Sequence, residues 1–443
     1  MPEYPVPQVG VVGFGYIGTV IGTALADAGC RVTALDTDAA RLDRLDRGET
    51  DVREPGLAAR LASAVRSGNL AAAADATVLA DQDVVVVTVG TPLGEDMSPD
   101  LDAVRDAIAA VGRHLTANTT VVLKSTVTPR TTDAVVAPLL ERESGLTRDR
   151  DFVLGFCPER IAEGNALAEI ARLPIVVGAN TAAARERIAA FWQRHLGVET
   201  VEVASATEAE LVKLADNVWI DVNIALANQI SKLTREYGAG FERVRRAANT
   251  LPKGQHQVNI LASSIGVGGS CLTKDPVFVA DILETAGQDA AVVRQARAVN
   301  DAMPAYTAGL IRGWLRRNRE AVAPVVAVFG LTFKNDTNDL RQTPVAPFVR
   351  AVEGFAAEVR LHDPLVGPEA AHRVFGDHPV VADAYAAAEG ADVLCFACGH
   401  APLKALDLDR LAANVRAPCL FVDGRRCFEP ARVEAAGFSY TDV

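Results

Sequence analysis

Through the first third of the chain, short apolar runs alternate with alanine-rich segments of helical period. The runs Gln8–Val12, Arg31–Asp36, Asp83–Thr88, Thr119–Lys124 and Phe152–Phe156 are rich in β-branched residues, which predicts strands. Strands separated by helical segments predict βαβ units and a parallel, doubly wound sheet. After about residue 204 the pattern changes. From Ala206 to about Tyr237 neither proline nor glycine interrupts the helical period, a run of about eight turns and long for a globular helix. Further helical segments reach about residue 300. Strand patterning then returns at Val325–Leu331, Glu358–Leu361, Asp392–Ala397 and Cys419–Asp423. The expected order is an α/β unit, a helical bridge and a second α/β unit.

The first strand runs straight into Gly13-Phe14-Gly15-Tyr16-Ile17-Gly18, a G-x-G-x-x-G that opens the next helical segment. In this motif Gly13 makes the turn, Gly15 lets backbone approach a pyrophosphate, and Gly18 packs helix on strand. Asp36, 18 residues past Gly18, closes the second strand, where an acid bonds ribose hydroxyls. The set predicts a dinucleotide site, with Tyr16 and Ile17 at the helix start. Asp36 would repel a 2′-phosphate, which favours NAD over NADP, although Arg41 stands nearby. Ligands of open α/β sheets lie beyond the carboxyl ends of strands. Gly90-Thr91-Pro92, Ser125-Thr126-Val127 and Cys157-Pro158-Glu159 fall at such ends. Each alone is also an ordinary strand-to-helix turn; their convergence on one crevice is the argument for them.

A second chemical centre is Gly266-Val267-Gly268-Gly269-Ser270-Cys271-Leu272-Thr273-Lys274-Asp275. A thiolate is a strong nucleophile at neutral pH and is favoured at a helix start. The glycines let backbone amides approach an anion or oxyanion. If a helix begins there, Asp275 at i+4 shares the thiol's face. The alternative is a small, buried structural cysteine. On the long helical segment, Lys213, Asn217, Ile220, Ile224 and Asn228 recur at spacings of three and four and so share one face. A polar rim beside a dimer contact is the other reading of that stripe.

Composition narrows the classes. A chain of 443 residues with 49 % hydrophobic content can build sizeable cores in two or three domains of the usual ~100–200 residues. A formal charge of −12 argues against nucleic acid or an anionic membrane surface. If the ligands are anionic, their site must be locally basic. Seven cysteines without repeated spacing suit a reducing cytoplasm rather than a disulfide framework. Cys395-x-x-Cys398 lies in an apolar run without partner ligands and reads as buried strand. The first ten residues show no signal peptide, and no apolar run approaches the ~20 residues of a membrane span. The seven histidines have no ligand spacing, so no metal is expected.

Taken in order, the motifs resemble the UDP-glucose/GDP-mannose dehydrogenase family from end to end. They are the glycine fingerprint, Glu54-Pro55-Gly56-Leu57, Gly90-Thr91-Pro92, Lys124-Ser125-Thr126-Val127 and Pro158-Glu159-Arg160. Glu210-x-x-Lys213-x-x-x-Asn217, Gly268-Gly269-Ser270-Cys271 with Asp275, and Gly330-Leu331-Thr332-Phe333-Lys334 through Asp339-Leu340-Arg341 follow. The resemblance implies two Rossmann-like doubly wound domains joined by a helical domain with a long central helix. The implied bounds are 1–204 for NAD, 205–304 for the helical and dimerisation domain, and 305–443 for the nucleotide sugar. It implies NAD-dependent, four-electron oxidation of C6 of a UDP-sugar through a thiohemiacetal and a thioester on Cys271. Lys213 and Asp275 would hold the water or charge that assists loss of the first hydroxyl proton, and Asn217 would stabilise the oxyanion. Glu159 would be the base for thioester hydrolysis, and Thr126 would position water. Thr91 and Thr126 would line the cofactor. Glu159, Arg160, Lys213, Asn217, Gly268, Lys334 and Arg341 would contact the substrate. His362-Asp363-Pro364, Gly399-His400 and Asp423-Gly424-Arg425 also match family loops, without an assigned role. A cytoplasmic homodimer or higher oligomer is implied.

On the sugar, Asp221–Asn228 and Cys157-Pro158-Glu159-Arg160 look like the UDP-N-acetylhexosamine branch. Ile220 stands where that branch usually has arginine, and Gln255-His256-Gln257 where it tends to have His-Pro-Arg. Gly-Gly-Ser-Cys with Lys274 is closer to the glucose and GDP-mannose branches. The reading favours a UDP-N-acetylmannosamine or UDP-N-acetylglucosamine 6-dehydrogenase, with UDP-glucose as alternative. A silent nucleotide-sugar-binding subunit and a simple two-electron hydroxy-acid dehydrogenase are the competing classes.

Overall fold

The computed structural model describes residues 6–92, 100–254, 256–318 and 323–443. The first five residues and Gln255, both read above, lie outside them. The chain divides into two compact units, Met1–Asp216 and Asn217–Val443.

The first unit holds an eight-stranded sheet in the order β3-β2-β1-β4-β5-β6-β7-β8. Its strands are β1 (Gln8–Val12), β2 (Arg31–Leu35), β3 (Leu70–Ala73), β4 (Val84–Val87), β5 (Thr120–Leu123), β6 (Val153–Phe156), β7 (Ile175–Gly178) and β8 (Thr200–Val203). The four valines of β4 are all buried. Val84 and Val86 face a core with Phe14, Ile21, Leu25 and Trp192, while Val85 and Val87 face one with Ile108, Val121, Leu123 and Phe156. Side chains alternate faces along a strand, so an unbroken apolar run is what a sheet covered on both sides requires. The order reverses between β1, which pairs β2, and β4. That is the switch point where such sheets bind ligands.

The five predicted strands pair in parallel, as expected; the sheet's one antiparallel junction lies beyond them. β6 and β7 run antiparallel, through the single pair Phe156–Gly178, and only then does β8 return parallel to β7. Strands β3, β7 and β8 were also not predicted. Leu70-Ala-Ala-Ala carries no β-branched signal, and β8 is half exposed at a sheet edge, where local propensity is a weak guide.

The helix Ala206–Glu236 matches the long predicted segment. In the second unit a short hairpin, β9 (Pro252–Lys253) and β10 (His256–Gln257), precedes the helices Ser270–Thr285, Ala291–Asp301 and Met303–Asn318. A parallel sheet then follows, ordered β12-β11-β13-β14-β15. Its strands are β11 (Val325–Phe329), β12 (Glu358–His362), β13 (Val393–Phe396), β14 (Leu420–Asp423) and β15 (Ser439–Asp442). Phe329, Phe396 and Phe421 stack across it at 4.6 Å centroid spacings. The edge strand Ser439-Tyr-Thr-Asp was not predicted, because half-exposed polar residues leave no apolar run. Cys395 and Cys398 are both fully buried. Among the described residues no helix is long and apolar enough to cross a membrane.

Candidate active-site residues

The dinucleotide motif occupies the β1–β4 switch point of the first unit. Gly13 turns with φ +87°, and a Cβ on Gly18 would sit 2.1 Å from Gly13 O. Only glycine permits that approach of helix to strand. A Cβ on Gly15 would meet nothing within 4 Å, so the backbone at the helix start is open to a bulky anion. Helix amides and open backbone together fit a pyrophosphate, and the residues present suit NAD. Asp36 is bound by the glycine turn and by its own loop: Oδ2 accepts from Phe14 N–H at 2.6 Å, and Arg41 Nη1 lies 3.1 Å from both oxygens. The Arg41 noted in the sequence is therefore a direct partner of Asp36.

Tyr16, first residue of that helix, donates from its hydroxyl to Glu54 Oε2 at 2.5 Å. Glu54 is buried and also accepts from Gly164 N–H and Ala166 N–H at 2.7 and 2.6 Å. Burial, together with the Glu54 carboxylate, pushes the Tyr16 phenol far above its ordinary range. Glu54 stood in a recognised motif without a role; the fold shows it tying the glycine turn to the segment after Glu159. Thr91 Oγ1 donates to Thr126 O at 2.6 Å, which joins the loops that follow β4 and β5.

Glu159 follows β6. Its Oε1 accepts from the Arg160 and Ile161 N–H groups, both at 2.7 Å, and its Oε2 lies 3.3 Å from Lys124 Nζ. Lys124 follows β5, is buried, donates to Cys157 O at 3.3 Å and sits 5.4 Å from the Trp192 ring centroid. Such an enclosed ammonium needs the carboxylate beside it. Arg160 is held by Asp216, Nε to Oδ2 at 2.8 Å. Lys213 is half-buried on the first turns of the long helix. One turn earlier, Glu210 accepts from Arg130 N–H, Thr132 N–H and Thr132 Oγ1. Burial raises its pKa.

In the second unit the cysteine loop meets the expectation of a helix start. Gly269 caps the helix Ser270–Thr285 with φ +85°. Cys271 is exposed in its first turn, which removes the alternative of a buried thiol. Asp275 is fully buried. Its Oδ1 lies 2.9 Å from Lys274 Nζ, and its Oδ2 accepts from Asn217 Nδ2 at 2.5 Å. Lys274 stood in the sequence reading only as a branch marker; the fold makes it the ion-pair partner of Asp275. The loop packs on the segment after β11. A Cβ on Gly268 would fall 2.6 Å from both Gln342 O and Phe333 Cβ, so glycine is required there by packing. Gly269 N–H donates to Arg341 O at 3.2 Å. The Arg341 guanidinium pairs with Asp339, and Lys334 O accepts from Thr332 Oγ1 at 2.7 Å.

The loops left without a role gather at the carboxyl edge of the second sheet. His400 Nε2 lies 3.1 Å from Asp363 Oδ2, and its Nδ1 accepts from Asp336 N–H at 2.8 Å. Arg425 donates to Phe333 O at 2.5 Å. On the long helix, Asn228 bonds Asn300 and Ser264 N–H, which accounts for that part of the polar stripe by internal tethering.

Three family models cover the chain in the same order. They are those of the UDP-glucose/GDP-mannose dehydrogenase family: NAD binding domain over residues 7–196, central domain over 207–302 and UDP binding domain over 327–430. The chain belongs to this family. It is a NAD-dependent nucleotide-sugar dehydrogenase. Similar proteins include the UDP-N-acetyl-D-mannosamine dehydrogenase of Pyrococcus horikoshii, 32 % identical over 98 % of this chain and 99 % of that protein. The UDP-glucose 6-dehydrogenase of Pseudomonas aeruginosa is also 32 % identical, over 98 % and 96 %. The solved structure of the P. horikoshii UDP-D-ManNAc dehydrogenase matches with a TM-score of 0.87 at 30 % identity, covering 98 % of this chain and 99 % of that one. In this dehydrogenase the match to the UDP binding domain, residues 327–430, takes in Lys334, Arg341 and Arg425.

Proposed function

We propose that this dehydrogenase oxidises C6 of a UDP-N-acetylhexosamine to the uronate, with Cys271 as covalent nucleophile. The observation that carries the reading is an exposed thiol in the first turn of a glycine-capped helix, with a buried carboxylate at i+4. NAD, which the glycine turn of Gly13, Gly15 and Gly18 would hold, would supply the hydride acceptor. Two electron pairs must leave one carbon, and a free aldehyde would escape between the steps. Cys271 holds it as a thiohemiacetal, whose oxidation leaves a thioester that water then cleaves. Lys213 and Asp275 assist loss of the first hydroxyl proton, and Asn217, which bonds Asp275, stabilises the oxyanion. Glu159 is the hydrolytic base, with Thr126 positioning water. Lys334, Arg341 and Arg160 supply local positive charge for an anionic substrate in a protein of charge −12.

The choice of sugar is supported by the full-length likeness to a UDP-N-acetyl-D-mannosamine dehydrogenase. UDP-glucose is the second reading, favoured by Gly-Gly-Ser-Cys, Ile220 and the equal identity to a UDP-glucose 6-dehydrogenase. We place the enzyme in the cytoplasm as a homodimer. Trp219, Leu226 and Leu233, seven residues apart on the long helix, are 49, 49 and 57 % exposed, an apolar stripe that a second copy would cover. Light scattering tests the dimer.

NADH yield from limiting UDP-N-acetylmannosamine, UDP-N-acetylglucosamine and UDP-glucose tests the reaction. Two NADH per sugar identifies the substrate and the four-electron course. One NADH refutes the thioester route, and none with all three refutes the substrate assignment.

A further inference from the structure

The helix that presents Cys271 contains a proline, Pro276. Proline has no N–H, so the carbonyl four residues earlier loses the donor that a regular helix would provide. That carbonyl belongs to Leu272, the residue next to the thiol. Arg297 supplies the donor from outside: its Nη1 lies 3.2 Å from Leu272 O. Arg297 is itself buried in the helix Ala291–Asp301. The same Nη1 lies 2.5 Å from Oδ1 of the fully buried Asp221, which also accepts from Asn300 Nδ2 at 2.8 Å. Nη2 pairs with Asp301. Two carboxylates neutralise the guanidinium, so what reaches the cysteine turn is one directed hydrogen bond rather than a field.

We propose that Arg297 is a positioning residue for the nucleophile: it holds the carbonyl freed by Pro276 and so fixes the turn that carries the Cys271 thiol. Asp221 aims Arg297. The inference rests on the reading of Cys271 as nucleophile, because only then does the placement of this turn set the rate.

Compensation separates this role from a general structural tie. P276A restores an N–H four residues after Leu272 and makes the external donor redundant. The double variant D221N/R297M removes the donor without stranding a buried charge, and adding P276A gives a triple variant. Two readouts are taken: peptide-level amide exchange over residues 270–280 in the ligand-free protein, and kcat and KM for NADH formation from UDP-N-acetylmannosamine. D221N/R297M is expected to raise exchange about tenfold, and to lower kcat about 10- to 100-fold with KM within about twofold, the scale of an ångström-sized misplacement. P276A alone stays near wild type, and the triple variant recovers most of both losses. Slow exchange in β13 checks that the fold is intact. Should the neutral pair not fold, R297K, which keeps the charge against Asp221 and gives up the second directed donor, goes through the same comparison with P276A. The proposal is overturned if P276A rescues neither readout, or if the double variant behaves as wild type. If exchange follows the expected pattern but the wild-type enzyme yields no second NADH, the hydrogen-bond role is upheld and the nucleophile reading is what fails.

Discussion

Replacing Asp275 by asparagine tests whether the buried charges beside the cysteine helix form one unit. Asp275 is fully buried, and Lys274 beside it is 8 % exposed. The carboxylate faces two donors, Lys274 Nζ at 2.9 Å and Asn217 Nδ2 at 2.5 Å. An asparagine of the same volume offers one oxygen to Lys274 and an NH2 to Asn217, whose amide must turn over to accept it, and it leaves the buried ammonium without a counter-charge. The lost attraction between unit charges at this distance is about 6 kcal/mol at an effective dielectric of about 20. The Phe278 ring, 4.7 Å from Lys274 Nζ, keeps its contact in both forms and so cancels; part of the loss is returned because the neutral asparagine costs less to bury than a carboxylate. The expected net loss is about 3–5 kcal/mol, as for other broken buried pairs. Equilibrium urea unfolding followed by tryptophan fluorescence measures it, with Trp314 reporting from the second unit. Turnover should fall by at least about 10²-fold. The double variant K274M/D275N removes both charges and should regain most of the stability but none of the turnover. A single variant within about 1 kcal/mol of wild type, or a double variant no more stable than the single, would refute the reasoning.

Iodoacetamide near neutral pH should modify Cys271 before any other thiol. Burial pushes Cys30, Cys157 and Cys427 up to about 11, so their reactive thiolates appear only as pH approaches that value; a first adduct elsewhere by peptide mass spectrometry contradicts this. Gly268→Ala forces a methyl into contacts of 2.6 Å and should cost about 1–3 kcal/mol, with a larger relative loss of kcat than of stability, because the cysteine loop shifts; unchanged denaturation and turnover would count against it. Lys124→Met leaves Glu159 without its cation. The enzyme should then give the first two NADH but accumulate a Cys271 adduct visible by intact mass, and wild-type turnover without an adduct would show that Lys124 does not serve hydrolysis.

Much of this was legible along the chain. The strand β4 is four valines, and a both-faces-buried strand is the one use a sheet has for them. The fingerprint glycines are dictated by contacts only a few residues away in sequence, such as Gly18 against Gly13 O. The cysteine helix was legible for the same local reason, since Gly269 caps it and no residue before Pro276 opposes it. The roles of Glu54 and Lys124 were not, although both stood in recognised motifs. Glu54 finds its partners at Gly164 and Ala166, more than a hundred positions on, and Lys124 finds Glu159 at the end of the neighbouring strand. The antiparallel junction of β6 and β7 was hidden too, because a strand's direction leaves no mark on its own periodicity.

The sequence by itself determined most of the elements, the dinucleotide turn and the helix start at Cys271, because periodicity, glycine geometry and helix starts are short-range properties of the chain. Only the tertiary structure decided that Asp275 bonds Asn217, that Glu159 answers to Lys124 and that Arg297 stands in for the hydrogen Pro276 lacks. Burial turns those pairings from options into requirements: a charge or a carbonyl removed from water must be satisfied by whatever the fold brings to it.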